Sequence, residues 1–380
     1  MSEDSDYISP EDAVEEEALQ DQIHQLNARV DRQSRLLTQR ARSIKTLTQE
    51  RDRSTEAFEN LVEMRKTGRA HIPKLWTPPK KRAKSGAHHI MGMLLHTDQH
   101  LDEFIDPEQM NPSGNEPMNA YDVDIARLRY GTLLDKLAYV REAHEPGAVV
   151  DGLAILWGGD TFSGEIHELP QSNARHTVAG KEYWQKFILD WLLSVVDVWE
   201  HVSMAAVAGN HPRMTPKVQF KGFTDNSLDW ALYSTLQWVV EMNPVLKERV
   251  HFLSVPRGFE ALFQLYDHNI LLNHGYAIKS QGGVGGIYPS MFKNSSRQQN
   301  KHAQFGNIVD LIAMGHFHQD ILAVDQNVWV GGAMKGYDEL AAFYSFLPKP
   351  ASQGFIWTSP ERIIVDWQAL EVQDRKVEGW

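Results

Sequence analysis

The apolar positions of this chain fall into three regimes. Over residues 18–61 they recur every seven: Ile23, Val30, Leu37, Ile44, Arg51 and Phe58 form one set, and Leu19, Leu26, Gln33, Arg40, Leu47, Ser54 and Leu61 the other. That spacing predicts an acidic N-terminal segment and coiled-coil helix over residues 1–64. β-Branched residues on one set and Leu on the other lean toward a parallel dimer, against the weakening effect of the four polar seam residues. From Arg65 to Gly86 the period is lost, and Pro73, Pro78 and Pro79 break any helix. Residues 65–88 therefore read as a basic, Pro-containing linker, with Trp76 in it as a group able to stack on a base. After His89 short apolar runs alternate with amphipathic stretches, which predicts an α/β domain over residues 89–380.

Within that domain Ile90–His96 reads as the first strand, Tyr121–Ala143 and Val178–Val202 as helices, Ser203–Ala208 as a strand and Asn226–Met242 as a helix. The later runs are shorter: Asn269–Asn273, Leu311–Met314, Ile321–Val324, Val328–Val330, Phe355–Trp357 and Ile363–Trp367. They predict a second, more antiparallel sheet.

Five apolar runs end alike. The blocks that follow them are Asp98-Gln99-His100, Gly158-Gly159-Asp160, Gly209-Asn210-His211, Asn273-His274-Gly275 and Gly315-His316-Phe317-His318. Each places a carboxylate, amide or imidazole where a strand opens into a loop, the usual address of ligands at the carboxyl edge of a sheet. Neighbouring glycines let the backbone turn sharply and admit a substrate. One such block is weak evidence, since a loop histidine is usually an ordinary surface residue. Five in a single chain are hard to obtain by accident.

Composition narrows the chemistry. The chain has 380 residues, is 42% apolar and contains no cysteine, so disulfides and thiolate metal sites are excluded. Any metal must be held by His, Asp, Glu or Asn, and a reducing, cytoplasmic setting is expected. No apolar run reaches the length of a membrane span, and the acidic start of the chain lacks the apolar core of a secretory signal. The net charge of −12 is unevenly spread: residues 1–64 carry −7, residues 65–84 carry +8 with no acid among them, and the remainder carries −13. The Lys80-Lys81-Arg82-Ala83-Lys84 run suits nucleic acid or a targeting role, or is simply a solvated tether. The acidic remainder does not favour a phosphate backbone spread over its whole surface.

Taken in order, the five blocks resemble the D-x-H, G-D, G-N-H, G-H and G-H-x-H signature of the calcineurin-like metallophosphoesterase superfamily. The resemblance implies a four-layer α/β/β/α sandwich preceded here by the coiled-coil helix. It implies that Asp98, His100, Asp160 and His318 hold one metal and that Asp160, Asn210, His274 and His316 hold a second, with Asp160 bridging. Two divalent ions about 3.5–4 Å apart can clamp phosphoryl oxygens and activate a water. Mixed imidazole, carboxylate and amide ligands suit Mn²⁺, or Fe²⁺ or Zn²⁺, better than Ca²⁺ or Mg²⁺. His211 is left over as the candidate for stabilising the transition state and protonating the leaving oxygen.

Family members commonly carry an acidic residue after G-N-H; here Pro212 stands there, followed by Arg213. The variant is similar to phosphoesterases of bacteriophages and prophages, as is the stretch Gly331–Glu339, so a phage-encoded protein in the host cytoplasm is one expectation. Arg213, Arg175 and Lys279 are candidate substrate contacts, with His167 and His176 beside them, and Gly282–Gly286 is a candidate phosphate cradle. The superfamily also includes SbcD-type DNA exonuclease subunits. The leading expectation is accordingly a phosphodiesterase or nuclease acting on nucleic acid as a homo-oligomer. The alternatives are a phosphatase or diesterase acting on a small nucleotide or phosphoprotein, and a coiled-coil scaffold with a non-catalytic metal site.

Overall fold

The computed structural model describes residues 72–76 and 88–380 apart from 112–113, 115, 145–146, 165–177, 254–256 and 280–285. It also describes positions 26–30, 32–34, 37–38, 41, 45 and 48. The chain divides into two compact units, Met1–Gly68 and Arg69–Trp380. In the first, every described position is helical, and the seam residues Leu26, Val30 and Leu37 are exposed. The seam positions Leu19, Ile23, Arg40, Ile44, Leu47, Arg51, Ser54, Phe58 and Leu61 lie outside the described residues, as does the basic run at 80–84.

In the second unit one sheet is built from β1 (His89–His96), β2 (Val149–Trp157), β3 (Val202–Ala206), β4 (Val250–Phe252), β10 (Ser352–Thr358) and β11 (Asp366–Glu371). Its six strands have the order β11-β10-β1-β2-β3-β4. β1 to β4 run parallel, β10 is antiparallel to β1, and β11 is antiparallel to β10. The second sheet is built from β5 (Glu260–Leu265), β6 (His268–Asn273), β7 (Leu311–Met314), β8 (Ile321–Ala323) and β9 (Val328–Val330), in the order β5-β6-β7-β9-β8.

Period-two alternation sorts each strand between two cores. On β1, Met91, Met93 and Leu95 face the space between the sheets, where Ala154, Leu156, Phe263, Leu272, Ala313 and Trp329 meet them. Ile90 and Leu94 face the other way, onto α1 (Val123–His144), α2 (Val178–Val198) and α3 (Leu228–Met242). The outer face of the second sheet, with Leu271, Ile312 and Val330, is covered by Met291 of α5 (Tyr288–Ala303), which follows the short α4 (Pro244–Arg249). The result is the expected α/β/β/α stack.

Three expectations need correction. The late strands do not all form one antiparallel sheet: β10 and β11 return to the first sheet, and β6, β7 and β9 are parallel neighbours. The last strand is Asp366–Glu371 rather than Ile363–Trp367. The third correction concerns the linker. Pro73–Trp76 lies along β5, with the Leu75 N–H donating to Gln264 O and the Gln264 N–H to Pro73 O, both at 2.8 Å. Leu75 is fully buried, and Trp76 packs edge-on against Tyr266 at 5.0 Å. Burying an indole outweighs leaving it to stack on a ligand, so Trp76 is core rather than a binding group.

Candidate metal centre

Parallel strands put their carboxyl ends on one edge, and both sheets deliver donors there. Asp98 and His100 follow β1, Asp160 follows β2, Asn210 lies beyond β3, His274 follows β6, and His316 and His318 follow β7. The ligand atoms of Asp98, His100 and His318 lie within 4.8 Å of one another, and so do those of Asp160, His274 and His316. Each set draws on both sheets, so neither exists until the sheets have stacked.

The donor arrangement fits cations. His274 Nδ1 is 2.8 Å from the Gly158 carbonyl, which can only accept, so that nitrogen carries hydrogen. Its Nε2 then faces Asp160 Oδ2 at 2.9 Å and Asn210 Oδ1 at 3.0 Å. Asp160 Oδ2 is buried and its close neighbour is the His274 imidazole, an ion-pair contact rather than an ordinary hydrogen bond. In the other set, His318 Nε2 lies 3.3 Å from both His100 Nε2 and Asp98 Oδ1. Imidazole nitrogens converging with carboxylate and amide oxygens at these distances match the donor mixture of imidazole- and carboxylate-bound divalent ions.

The same convergence shapes the electrostatics. Burial pushes the Asp98 carboxyl up, but hydrogen bonding and charge from His318 bring it below the usual range. Burial likewise opposes ionisation of Asp160, and the charges of His274 and His211 overcome it. His274 resists burial through the Asp160 carboxylate and is pushed up to about 9. His316 is pushed down to about 4, chiefly by burial and then by His274.

The backbone is bent to this purpose. Asp98, His100, Asp160, His316 and His318 all adopt positive φ, between 50° and 74°, a region non-glycine residues rarely occupy. Gly209 makes one close approach possible, since a side chain there would overlap Asp160. At Gly315 a side chain would overlap Thr97 and Asp98.

Several supporting residues lie outside the five blocks. Asp229 of α3 accepts from the backbone N–H groups of Asp160 (2.9 Å), Thr161 (3.1 Å) and Gly209 (2.9 Å), tying together the loops that follow β2 and β3. Burial and the nearby Asp160 charge push it up to about 7 despite these donors. Asp98 accepts from the Thr97 hydroxyl at 2.8 Å and from the His316 N–H at 2.8 Å. Ser163, Glu103 and Lys335 lie behind His100.

The other expected site residues fare differently. The His211 N–H donates to Asp160 Oδ1 at 2.8 Å, and its ring stands edge-on to His100 with centroids 5.0 Å apart. Burial lowers its pKa, with the Asp160 charge opposing. Arg213 is not a free cation at the mouth: it donates to the carbonyls of Asn210 (2.6 Å), Thr215 (3.1 Å) and Pro216 (3.3 Å), bracing the loop that carries Asn210. Lys279 is exposed. Arg175, His167, His176 and Gly282–Gly285 lie outside the described residues.

No known protein family matches the sequence, and no curated protein matches it. The fold is similar to that of solved structures. One is a Streptococcus pneumoniae protein described as a predicted phosphoesterase, at 9% identity and a TM-score of 0.28 over 74% of this chain and 98% of that one. Another is a phosphoesterase from E. coli, at 13% identity and 0.27 over 74% and 100%. A third is Vps29 from Entamoeba histolytica complexed with Zn²⁺, at 10% identity and 0.28 over 74% and 100%. These overlaps are loose, and the donors of this chain carry the functional reading.

Proposed function

We propose that this protein is a dinuclear-metal-dependent phosphoester hydrolase whose substrate is a phosphodiester of nucleic acid. The observation that carries the reading is the meeting of two three-residue donor sets, from two sheets, at one strand edge. Asp98, His100 and His318 would hold one ion, and His274, His316 and Asn210 the other, with Asp160 the carboxylate that would serve both. Two divalent ions at such a site supply neutralisation of phosphoryl oxygens and activation of water. Mn²⁺ suits this ligand mixture, as do Fe²⁺ and Zn²⁺. His211, pinned through its N–H to Asp160, presents the remaining imidazole to the leaving oxygen.

The substrate class is supported by the loop that follows Asn210 and His211. Beyond Arg213, whose guanidinium is taken up by the loop's own carbonyls, it carries Lys217 and Lys221, no acidic residue before Gly222, and Phe220 at 79% exposure. Cations beside an unpacked aromatic ring suit a strand of phosphates and bases. The +8 stretch at residues 65–84 adds a second basic segment, and the exposed seam residues Leu26, Val30 and Leu37 fit pairing of two chains through a coiled coil. The −13 charge of the remaining chain favours the second reading, a phosphatase or diesterase for a small nucleotide or phosphoprotein. No helix among the described residues is long and apolar enough to cross a membrane.

Hydrolysis of bis-p-nitrophenyl phosphate, p-nitrophenyl phosphate and labelled single- and double-stranded DNA, each with Mn²⁺ and with chelator, tests the proposal. Metal-dependent cleavage of the diester and of DNA is expected. Turnover of the monoester alone supports the second reading, and no turnover with two bound ions points to the scaffold.

A further inference from the structure

We propose that Glu103 is a positioning residue for the metal centre: acting through Ser163, it fixes which nitrogen of His100 carries hydrogen, and Lys335 holds Glu103 to that task. The inference rests on the reading of His100 as a metal ligand, though not on any reaction.

The hydrogen count leaves one arrangement. His100 Nδ1 lies 2.7 Å from Ser163 Oγ. The Ser163 hydroxyl makes a short hydrogen bond to Glu103 Oε2, and an ionised carboxylate can only accept. A hydroxyl has one hydrogen, so with that hydrogen on the Glu103 side Ser163 Oγ must accept from His100. The Nδ1–H tautomer follows, and the Nε2 lone pair is left facing Asp98 and His318. Had the Ser163 hydroxyl pointed at the ring, the hydrogen would sit on Nε2 and block the ligand position.

Glu103 has to be a carboxylate to do this. Its Oε2 accepts from Ser163 while Oε1 accepts from Lys335 Nζ at 2.8 Å. An amide at this place has only one accepting atom, and its NH₂ would meet either the Lys335 ammonium or the serine hydroxyl. Lys335 is buried and is also 2.6 Å from Asp338 Oδ2, so its ammonium is fixed between two carboxylates. Asp338 is fixed in turn, because its Oδ1 accepts from the Ala341 N–H at 2.8 Å at the start of α6 (Glu339–Phe343). The adjacent Asp102 completes the brace by accepting from the backbone N–H groups of Ser163 (2.6 Å) and Gly164 (3.1 Å). The carboxylates of Asp102 and Glu103 therefore set both the place of the serine and the direction of its hydroxyl.

The test uses the full-length protein and Glu103→Gln and Ser163→Ala variants, with Zn²⁺ titrated against a chromogenic chelator. The parent should bind two ions. Partners of ligating imidazoles commonly matter roughly 10–100-fold in metal affinity, and each variant should lose about that much at one ion and leave the other unchanged. Nitrogen NMR of histidine-labelled protein should show His100 with hydrogen on Nδ1 in the parent, a measurement that does not depend on any variant folding. Two ions bound at parental affinity by both variants would overturn the proposal. So would hydrogen on His100 Nε2, or a parent that binds fewer than two ions. A parent that binds two ions, loses one in Glu103→Gln and hydrolyses no phosphoester leaves this inference standing and removes the hydrolase reading.

Discussion

The two halves of the candidate metal centre are built from different materials. The Asp160, Asn210 and His274 side is braced through main-chain groups: the Gly158 carbonyl orients His274, and the Asp229 carboxylate gathers three backbone N–H groups. The Asp98, His100 and His318 side is braced largely by side chains, through Ser163, Glu103 and Lys335 behind His100 and through Thr97 beside Asp98. Main-chain braces are shared with the fold, so breaking one should damage stability and site together. Side-chain braces can be removed with less cost to the fold. The first half is thus tied to folding, the second to tuning.

The largest effect should come from Asp160→Asn. It removes charge from the carboxylate placed to serve both ions, and turnover of a small diester should fall to the level seen with chelator; near-normal turnover would detach Asp160 from the chemistry. Asp229→Ala comes next and tests the main-chain half. It strands three buried N–H donors at about 1–3 kcal/mol each, not fully additive, so unfolding in urea should show a loss on the order of 3 kcal/mol or more. Ion binding should weaken along with it. Unchanged stability would show that the loops after β2 and β3 hold their shape without the brace.

A pH experiment probes the other half from beneath. His96 is fully buried at the end of β1, its Nδ1 2.8 Å from Gln353 Oε1, and burial pushes it down to about 4 against the opposing effect of that hydrogen bond. The unfolded chain takes up the proton near 6.5, so stability should fall as pH drops from 6.5 to about 4, by about 3 kcal/mol at full extent. His96→Gln should flatten that part of the profile in urea melts at pH 7 and pH 4.5. An equally steep profile in the variant would assign the acid sensitivity to other groups.

The smallest effect concerns the basic loop. Lys217→Ser with Lys221→Ser should leave the ions and small-diester turnover unchanged. The salt dependence of single-stranded DNA binding should flatten by about 0.7 for each phosphate no longer neutralised. An identical slope would leave the substrate reading to the stretch at residues 65–84.

The donors were legible because each ends an apolar run, and strand ends at one sheet edge must meet. Their braces were not: Ser163 and Glu103 come from loops whose proximity only the finished fold creates, and nothing within Gly331–Glu339 indicated that Lys335 would meet them. Asp229 did leave a trace. It shares the buried stripe of α3 with Leu232, Tyr233, Leu236 and Val240, and a carboxylate on an apolar stripe needs a partner. Arg129 leaves the same trace on α1, where it pairs with Glu378 at 2.9 Å. Trp76 misled because proline and lysine set the character of its surroundings, while the edge of β5 that receives it lies far along the chain.

The left-handed backbone at five donor positions carries a consequence for the history of such a chain. Each of these conformations costs about 1–3 kcal/mol in a residue with a side chain, and glycine relieves much of that cost. At Asp98, His100, Asp160, His316 and His318, the substitution that best suits the backbone is the one that deletes the ligand. Selection for stability alone would therefore erode this centre first. A lineage that did not need these side chains would gain stability by exchanging them for glycine.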